Sequence, residues 1–497
     1  MTHALPSNAA HLAVWDTAAC LRVHEATLRV LAECGVEVLG HAPALDVFAA
    51  LGADVLGTRV RLSPELVEAA LATAPRTWTL HARGGAGGAD DGGDRGADDG
   101  GGNGAAAAAL ELAQGRTYFG TGSDTLYVRD PRSGERRRAR LADVEAFAAL
   151  CERLPNIDFV MSMGLPVDVP HAVDDLAPVV AMLSGTRKPL WIAPRDGAVV
   201  PLIQEMAAAC GAADSFGIYA MPSPPLQHDV DALTKLEACA RLQVPVVYAP
   251  AAHAGGSAPA SIAGTVVVGN AEVLSGLVYH QAVNPGAPFV YGTGYGAHSM
   301  RTMVDCYAAP EHFLGNQVGA DLARHYGLPS FNYAAVSDSK LVDEQLAAEY
   351  GMTAVLGALS RSTLLHDVGY LESGLQSSAE SIVLGDELVG WARAFLREAA
   401  VDDEALAVEE ILEAGPGGSH LARPYTRRHV RDTWQTSLLD QTVHDRWVAA
   451  GGSTLGERLR EKTAALLAAP RPFTLAPEAR RVLDGLLSRA EELDRSS

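Results

Sequence analysis

Eight short apolar or β-branched runs recur between residues 116 and 397, each ending in glycine, proline or polar residues. They are YFGTG (118–122), DFVMSMG (158–164), PLWIAPRD (189–196), GIYAMPS (217–223), VPVVYAP (244–250), PFVYGTG (288–294), SFNYAAVSD (330–338) and TLLHDVGY (363–370). Between them lie stretches with helical spacing. Val144, Phe147, Leu150, Cys151 and Leu154 share one face, as do Val199, Leu202, Ile203, Met206 and Cys210. LVDEQLAAEYGMTAVLGALS (341–360) repeats the pattern. Strand–helix alternation builds parallel βαβ units, and eight such units close a (β/α)8 TIM barrel of the α/β class. An open doubly wound sheet is the weaker alternative, because no G-x-G-x-x-G follows a first strand.

A barrel leaves much of the 497-residue chain for extensions. Residues 1–83 read as a mainly helical N-terminal extension packed on the barrel. Residues 84–109 form a Gly/Asp-rich insertion, expected to be flexible because it has little apolar surface to bury. The barrel occupies 110–397, and 398–497 form a C-terminal helical extension. The N-terminus lacks a basic start and apolar h-region, and no apolar run reaches the ~18–20 residues of a membrane span. These features point to a cytoplasmic protein without a membrane partner. A net charge of -21 argues against nucleic acid. The six cysteines show no C-x-x-C or H-x-C spacing, so no zinc and no other metal is expected, although separated ligands can still converge.

Active sites of such barrels lie at the C-terminal ends of the strands. That face would receive Tyr118, Phe119 and Asp124, Met161 and Met163, Trp191, and Tyr219 and Met221. Tyr248, His253, Tyr291, Tyr295 and His298 follow, then Phe331, Tyr333 and Asp338, and finally His366, Tyr370 and Glu372. Only 6% of the chain is aromatic, yet nearly every strand run carries an aromatic residue. Some of these rings will instead point outward into the helix–sheet layer. As a set, an aromatic mouth with a few carboxylates suits a quaternary ammonium, held by ring faces and a nearby negative charge. His366 either holds a ligand carboxylate or bonds a backbone carbonyl. Alternation along 366–370 puts His366 and Tyr370 on one side and leaves Asp367 opposite, as a structural residue. Lys340 past the seventh strand raises a Schiff-base reading, though such lysines are most often surface groups. The loop EAGPGGSH (413–420) reads as a helix C-cap and turn rather than a phosphate cradle.

Several separated segments resemble, in the same order, the trimethylamine methyltransferase superfamily. They are residues 116–170, AVSDSKLVDEQLAAEYGMTAVLGAL (335–359), LLHDVGYLESG (364–374), LVGWARAF (388–395), and the stretch from VEEILEAGPGGSHL to YTRRHVRDTW (408–434). The resemblance implies a (β/α)8 barrel that moves a methyl group from a methylated amine to the cobalt of a corrinoid (cobalamin) cofactor, free or carried by a cognate corrinoid protein. It also implies that the trimethylamine enzymes use pyrrolysine, whereas every residue here is standard. The chain therefore resembles the branch without pyrrolysine that acts on glycine betaine. Proline betaine, carnitine or another methylated amine are alternative substrates, and a barrel that binds quaternary amines without turnover is an alternative function. The resemblance assigns substrate binding to His366 and, less directly, to Tyr118. Phe119, Tyr295, His298, Tyr333, Asp338, Tyr370 and Glu372 are nominated from their positions at the mouth, and no catalytic residue is assigned. A homo-oligomer is expected.

Overall fold

The computed structural model describes residues 10–83, 109–471 and 473–496. The insertion expected at 84–109 lies almost wholly outside the described residues. The barrel strands are β1 (Tyr118–Phe119), β2 (159–160), β3 (Leu190–Ile192), β4 (Phe216–Ala220), β5 (Val246–Tyr248), β6 (Phe289–Gly292), β7 (Ser330–Tyr333) and β8 (Leu364–His366). Seven of them form a parallel sheet in the order β1-β8-β7-β6-β5-β4-β3. The two edges of that sheet meet at β2. Gly120 bridges Phe159 and Val160 bridges Leu190, both in parallel sense, and so the barrel closes.

A helix follows each strand. In chain order these are Leu141–Cys151, Ala177–Gly185, Val200–Ala209, Val230–Leu242, Ile262–Val283, Pro310–Tyr326, Glu344–Ser360 and Ala379–Phe395. Their start signals are local. Asp229 and Asp343 each accept a hydrogen bond from a backbone N–H three residues on, which satisfies a donor the first turn would leave unpaired.

Side chains alternate across each strand, which divides the apolar residues into two layers. Tyr118, Phe159, Trp191, Val247, Val290, Phe331 and Leu364 fill the barrel interior. Phe119, Val160, Ile218, Tyr248, Tyr291 and Leu365 face the helices. An antiparallel hairpin, Thr77–Leu80 with Leu110–Ala113, contributes Leu80, Leu110 and Leu112 to the interior cluster and plugs its N-terminal end. The strand–helix loops gather at the opposite end.

The N-terminal segment combines helices Thr17–Glu33, Ala42–Ala50 and Pro64–Thr73 with three short strands, so it is less purely helical than the sequence suggests. Helices Thr17–Glu33 and Pro64–Thr73 pack on Ile262–Val283. That helix is the one stretch among the described residues long and apolar enough to cross a membrane, with mean hydropathy 1.4, and 72% of it is buried inside the protein. It is a core helix. Near the C-terminus, Leu455–Ala468 packs on Ala379–Phe395, and Pro477–Ser496 packs on Val200–Ala209.

Candidate functional site

The inward positions of two neighbouring strands and one from across the barrel converge at the mouth. β7 supplies Phe331 and Tyr333, β8 supplies His366, and β4 supplies Tyr219. The His366 ring stacks on Phe331 at 3.9 Å between centroids, with Tyr333 at 4.7 Å and Tyr219 at 6.3 Å. Two further rings arrive from the segment after β6. Tyr307 lies 5.8 Å from Tyr333, and His312, at the start of helix Pro310–Tyr326, stacks on Tyr307 at 5.2 Å and meets Tyr333 edge-on at 4.7 Å. Both nitrogens of the buried His312 lack a hydrogen-bond partner. Tyr370 packs against the far side, its hydroxyl donating to the Ser123 carbonyl. A methyl group at Gly122 would sit 2.3 Å from both the Tyr370 ring and the Asp367 carboxylate. A glycine is therefore required there for the ring and the acid to reach the mouth.

Asp367 overturns its expected role. Its backbone adopts φ 70°, a left-handed conformation that breaks the strand alternation. The carboxylate consequently folds back beside His366, with Oδ1 2.5 Å from Nδ1, and both side chains are buried. Burial first, and the Asp367 charge second, push the hydroxyls of Tyr219, Tyr307 and Tyr370 above their ordinary value. The rings thus remain neutral phenols around a negative charge. Asp124, across the mouth, is reachable by solvent yet ringed by protein, and that desolvation raises its carboxyl to about 6. It lines a small recess of about 30 Å³ with Ser162, Asp175 and Trp191.

The structure sorts the nominated residues. His366, Tyr333 and Tyr370 belong to the cage, and Tyr307, Tyr219 and Asp367 join them. Tyr118 points inward but at the closed end, where its hydroxyl accepts a hydrogen bond from Glu111 N of the plugging hairpin. Phe119 faces outward, under the Arg393 guanidinium at 5.0 Å. Tyr295 packs its ring on Gly315 of helix Pro310–Tyr326, also in the outer layer. Glu372 accepts from Nε and Nη2 of Arg136 at 2.8 and 2.9 Å, outside the cage. Asp338 accepts from Tyr307 N at 2.8 Å and from Ser373 Oγ at 2.7 Å, so it serves the site by fixing the Tyr307 loop. Tyr248 and Tyr291 belong to the helix–sheet layer, bonded to His228 and Asn270 respectively. Lys340 is exposed, its ammonium donating to Asp338 O, and nothing desolvates it toward a Schiff-base nucleophile.

His298 lies outside the ring of aromatics, in a separate cluster. It stacks on His253 at 4.3 Å, and both imidazoles approach Asp305. These three residues are the set among the described residues that could hold a metal ion. Their separation in sequence hid them from a search for ligand spacing.

Comparison with known proteins follows the same lines. The family model described as trimethylamine methyltransferase matches residues 1–94 and 103–493. The chain belongs to the trimethylamine methyltransferase family. It is an enzyme, a methyltransferase. Glycine betaine methyltransferase of Desulfitobacterium hafniense (strain Y51) is 30% identical over 92% of this chain and 92% of that protein. Trimethylamine methyltransferase MttB of Methanosarcina barkeri is 29% identical over 93% of this chain and 91% of its own length. Among solved structures, the monomethylamine methyltransferase of Methanosarcina barkeri aligns with a TM-score of 0.46 at 12% identity, covering 95% of this chain and 92% of that one.

Proposed function

We propose that this methyltransferase takes its methyl group from a quaternary amine, most simply glycine betaine, and delivers it to the Co(I) of a corrinoid carried by a partner protein. The observation that carries the reading is the cage itself: Tyr219, Tyr307, Tyr333, Tyr370 and Phe331 around the Asp367 carboxylate. Ring faces and one buried acid attract a cation that has no N–H to donate. Trimethylamine fits less well, and no pyrrolysine stands in the sequence to activate it.

The corrinoid, when bound, supplies both electrons of the new cobalt–carbon bond, while the C–N pair stays on nitrogen and a neutral tertiary amine leaves. No side chain needs to act as acid or base. The cage orients one N-methyl group outward and excludes water from the other three substituents. His366 Nδ1 faces Asp367, and Nε2 would hold the ligand's carboxylate as the N–H of an imidazolium paired with that acid.

Exposed apolar side chains surround the mouth: Leu165, Met221, Met300, Met303, Leu341 and Leu375. Each follows the C-terminal end of a barrel strand, so together they suit a partner seated over the opening. Ile411, Leu412 and Leu421, exposed on the C-terminal segment, support self-association elsewhere.

The test mixes purified protein with cob(I)alamin and glycine betaine, proline betaine or carnitine, following the visible spectrum for methylcobalamin. Glycine betaine should give the fastest conversion. Betaine binding without any spectral change would replace this reading by a binding protein.

A further inference from the structure

We infer that His253, His298 and Asp305 form a binding site for one divalent first-row transition ion, of which zinc is the ordinary occupant, at the rim of the barrel mouth.

The backbone builds the cluster. His253 follows β5 and pairs in parallel with Gly296, while His298 sits opposite Asp305 in an antiparallel pair. Two strand registers therefore fix three side chains contributed by two separate loops. A glycine makes the approach possible: a methyl group at Gly296 would lie 2.3 Å from His253 Cδ2. The Asp305 backbone is tied in turn, its carbonyl accepting from Ser373 Oγ at 2.8 Å.

The donor atoms of the three residues converge on one point. His298 Nδ1 and His253 Nε2 stand 2.7 and 3.2 Å from the same Asp305 Oδ1, and the available ligand atoms of all three residues lie within 4.8 Å. Bond lengths of ~2.0–2.2 Å to a tetrahedral ion imply ligand separations of about 3.3 Å, which the His253–Asp305 pair already meets and which His298 would reach by moving out about half an ångström. Despite the short distances, His298 Nδ1 and Asp305 Oδ1 are buried and make no well-directed hydrogen bond. Two polar atoms that touch without pointing at each other are costly if nothing lies between their lone pairs. An ion there removes the cost.

The chemistry of the set narrows the occupant. Two imidazoles and one carboxylate suit zinc and its neighbours better than magnesium or calcium, which prefer all-oxygen shells. Three protein ligands leave a coordination position open for water or for an oxygen of a bound molecule. Tyr307 lies two residues beyond Asp305, so the ion would border the aromatic cage. The inference stands whatever amine the barrel methylates from.

The experiment uses the full chain, stripped with a chelator and dialysed. Titration with Zn2+ by calorimetry should show one equivalent per chain, and Co2+ should give the intense visible bands of a four- or five-coordinate centre. Because even residues that merely orient metal ligands change affinity by ~10–100-fold, His253→Ala and His298→Ala should each weaken binding on the order of a hundredfold or more. Asp305→Asn, which keeps the side-chain shape, should weaken it without altering the circular dichroism. The absence of stoichiometric binding by the wild-type chain overturns the site, as does an undiminished equivalent in Asp305→Asn or the His253→Ala/His298→Ala double variant. Betaine affinity measured on the stripped chain reports the cage separately.

Discussion

Asp367 and His366 are sequence neighbours whose side chains meet inside the barrel, Oδ1 to Nδ1 at 2.5 Å, although a regular strand would send them to opposite faces. The left-handed backbone at Asp367 makes the difference, and its consequence is a carboxylate beside His366 whose charge is felt by Tyr219, Tyr307 and Tyr370.

Asp367→Asn removes that charge while keeping a residue type that tolerates the left-handed conformation. Affinity for glycine betaine should fall about tenfold or more, since a tenfold change corresponds to ~1.4 kcal/mol and a desolvated ion pair exceeds that. A neutral isostere with carbon in place of the quaternary nitrogen should bind both forms alike. Calorimetric titration of both ligands decides it. Equal loss for the two would assign Asp367 to scaffolding.

Tyr307 stands on a loop, and its aromatic face rather than its hydroxyl is the feature the cage uses. Tyr307→Phe should keep betaine affinity within about twofold, whereas Tyr307→Ala should lower it roughly 3- to 30-fold, the range of one cation–π contact. Asp338→Ala, which frees the Tyr307 backbone, should fall between them. The same titrations apply.

The alternation of apolar runs and helical stretches was enough to read the barrel, because period-2 and period-3.6 patterns follow directly from backbone geometry. Which end of the barrel is open was also legible, from the glycines and polar residues at the strand tips. Side-chain direction was harder. Tyr118 and Phe119 both belong to the first strand, yet one plugs the closed end and the other supports Arg393 outside. Tyr307 gave no signal, since it lies in a loop whose path depends on Asp338 and Ser373. A left-handed non-glycine residue such as Asp367 also escapes pattern reading, because alternation assumes regular strand angles. A His-Asp-Val-Gly run ending a strand is the cue that could have exposed it, as Asp tolerates positive φ and Gly369 at φ 112° continues the turn.

Met303→Glu places a charge on the exposed apolar rim. Methyl transfer from betaine to free cob(I)alamin should remain within about twofold. Transfer to a corrinoid bound to its cognate protein should drop on the order of tenfold, because an unpaired charge at an interface core is poorly tolerated. Rates with the two acceptors, measured side by side, separate docking from chemistry. An equal fall in both would move Met303 from the docking rim into the site.

Glu272, in the core helix Ile262–Val283, carries a distinct pH signature. Its Oε1 accepts from Leu226 N at 2.7 Å, while Oε2 has no partner, and burial raises its carboxyl to about 8. In the unfolded chain the same group titrates near its ordinary 4.5. Between those values the folded protein holds a proton that the unfolded chain releases. Stability contributed by the neutral acid is therefore complete below pH 4.5 and is lost as pH rises through 8. Glu272→Gln keeps the acceptor for Leu226 N and cannot ionise, so it should gain stability over wild type across that interval. The difference in thermal midpoint should widen from pH 5 to pH 8 by on the order of a few degrees and then level off. Differential scanning calorimetry of the pair checks this, because every other titrating group cancels in the difference. A constant offset across the range would mean that Glu272 is already ionised at neutral pH.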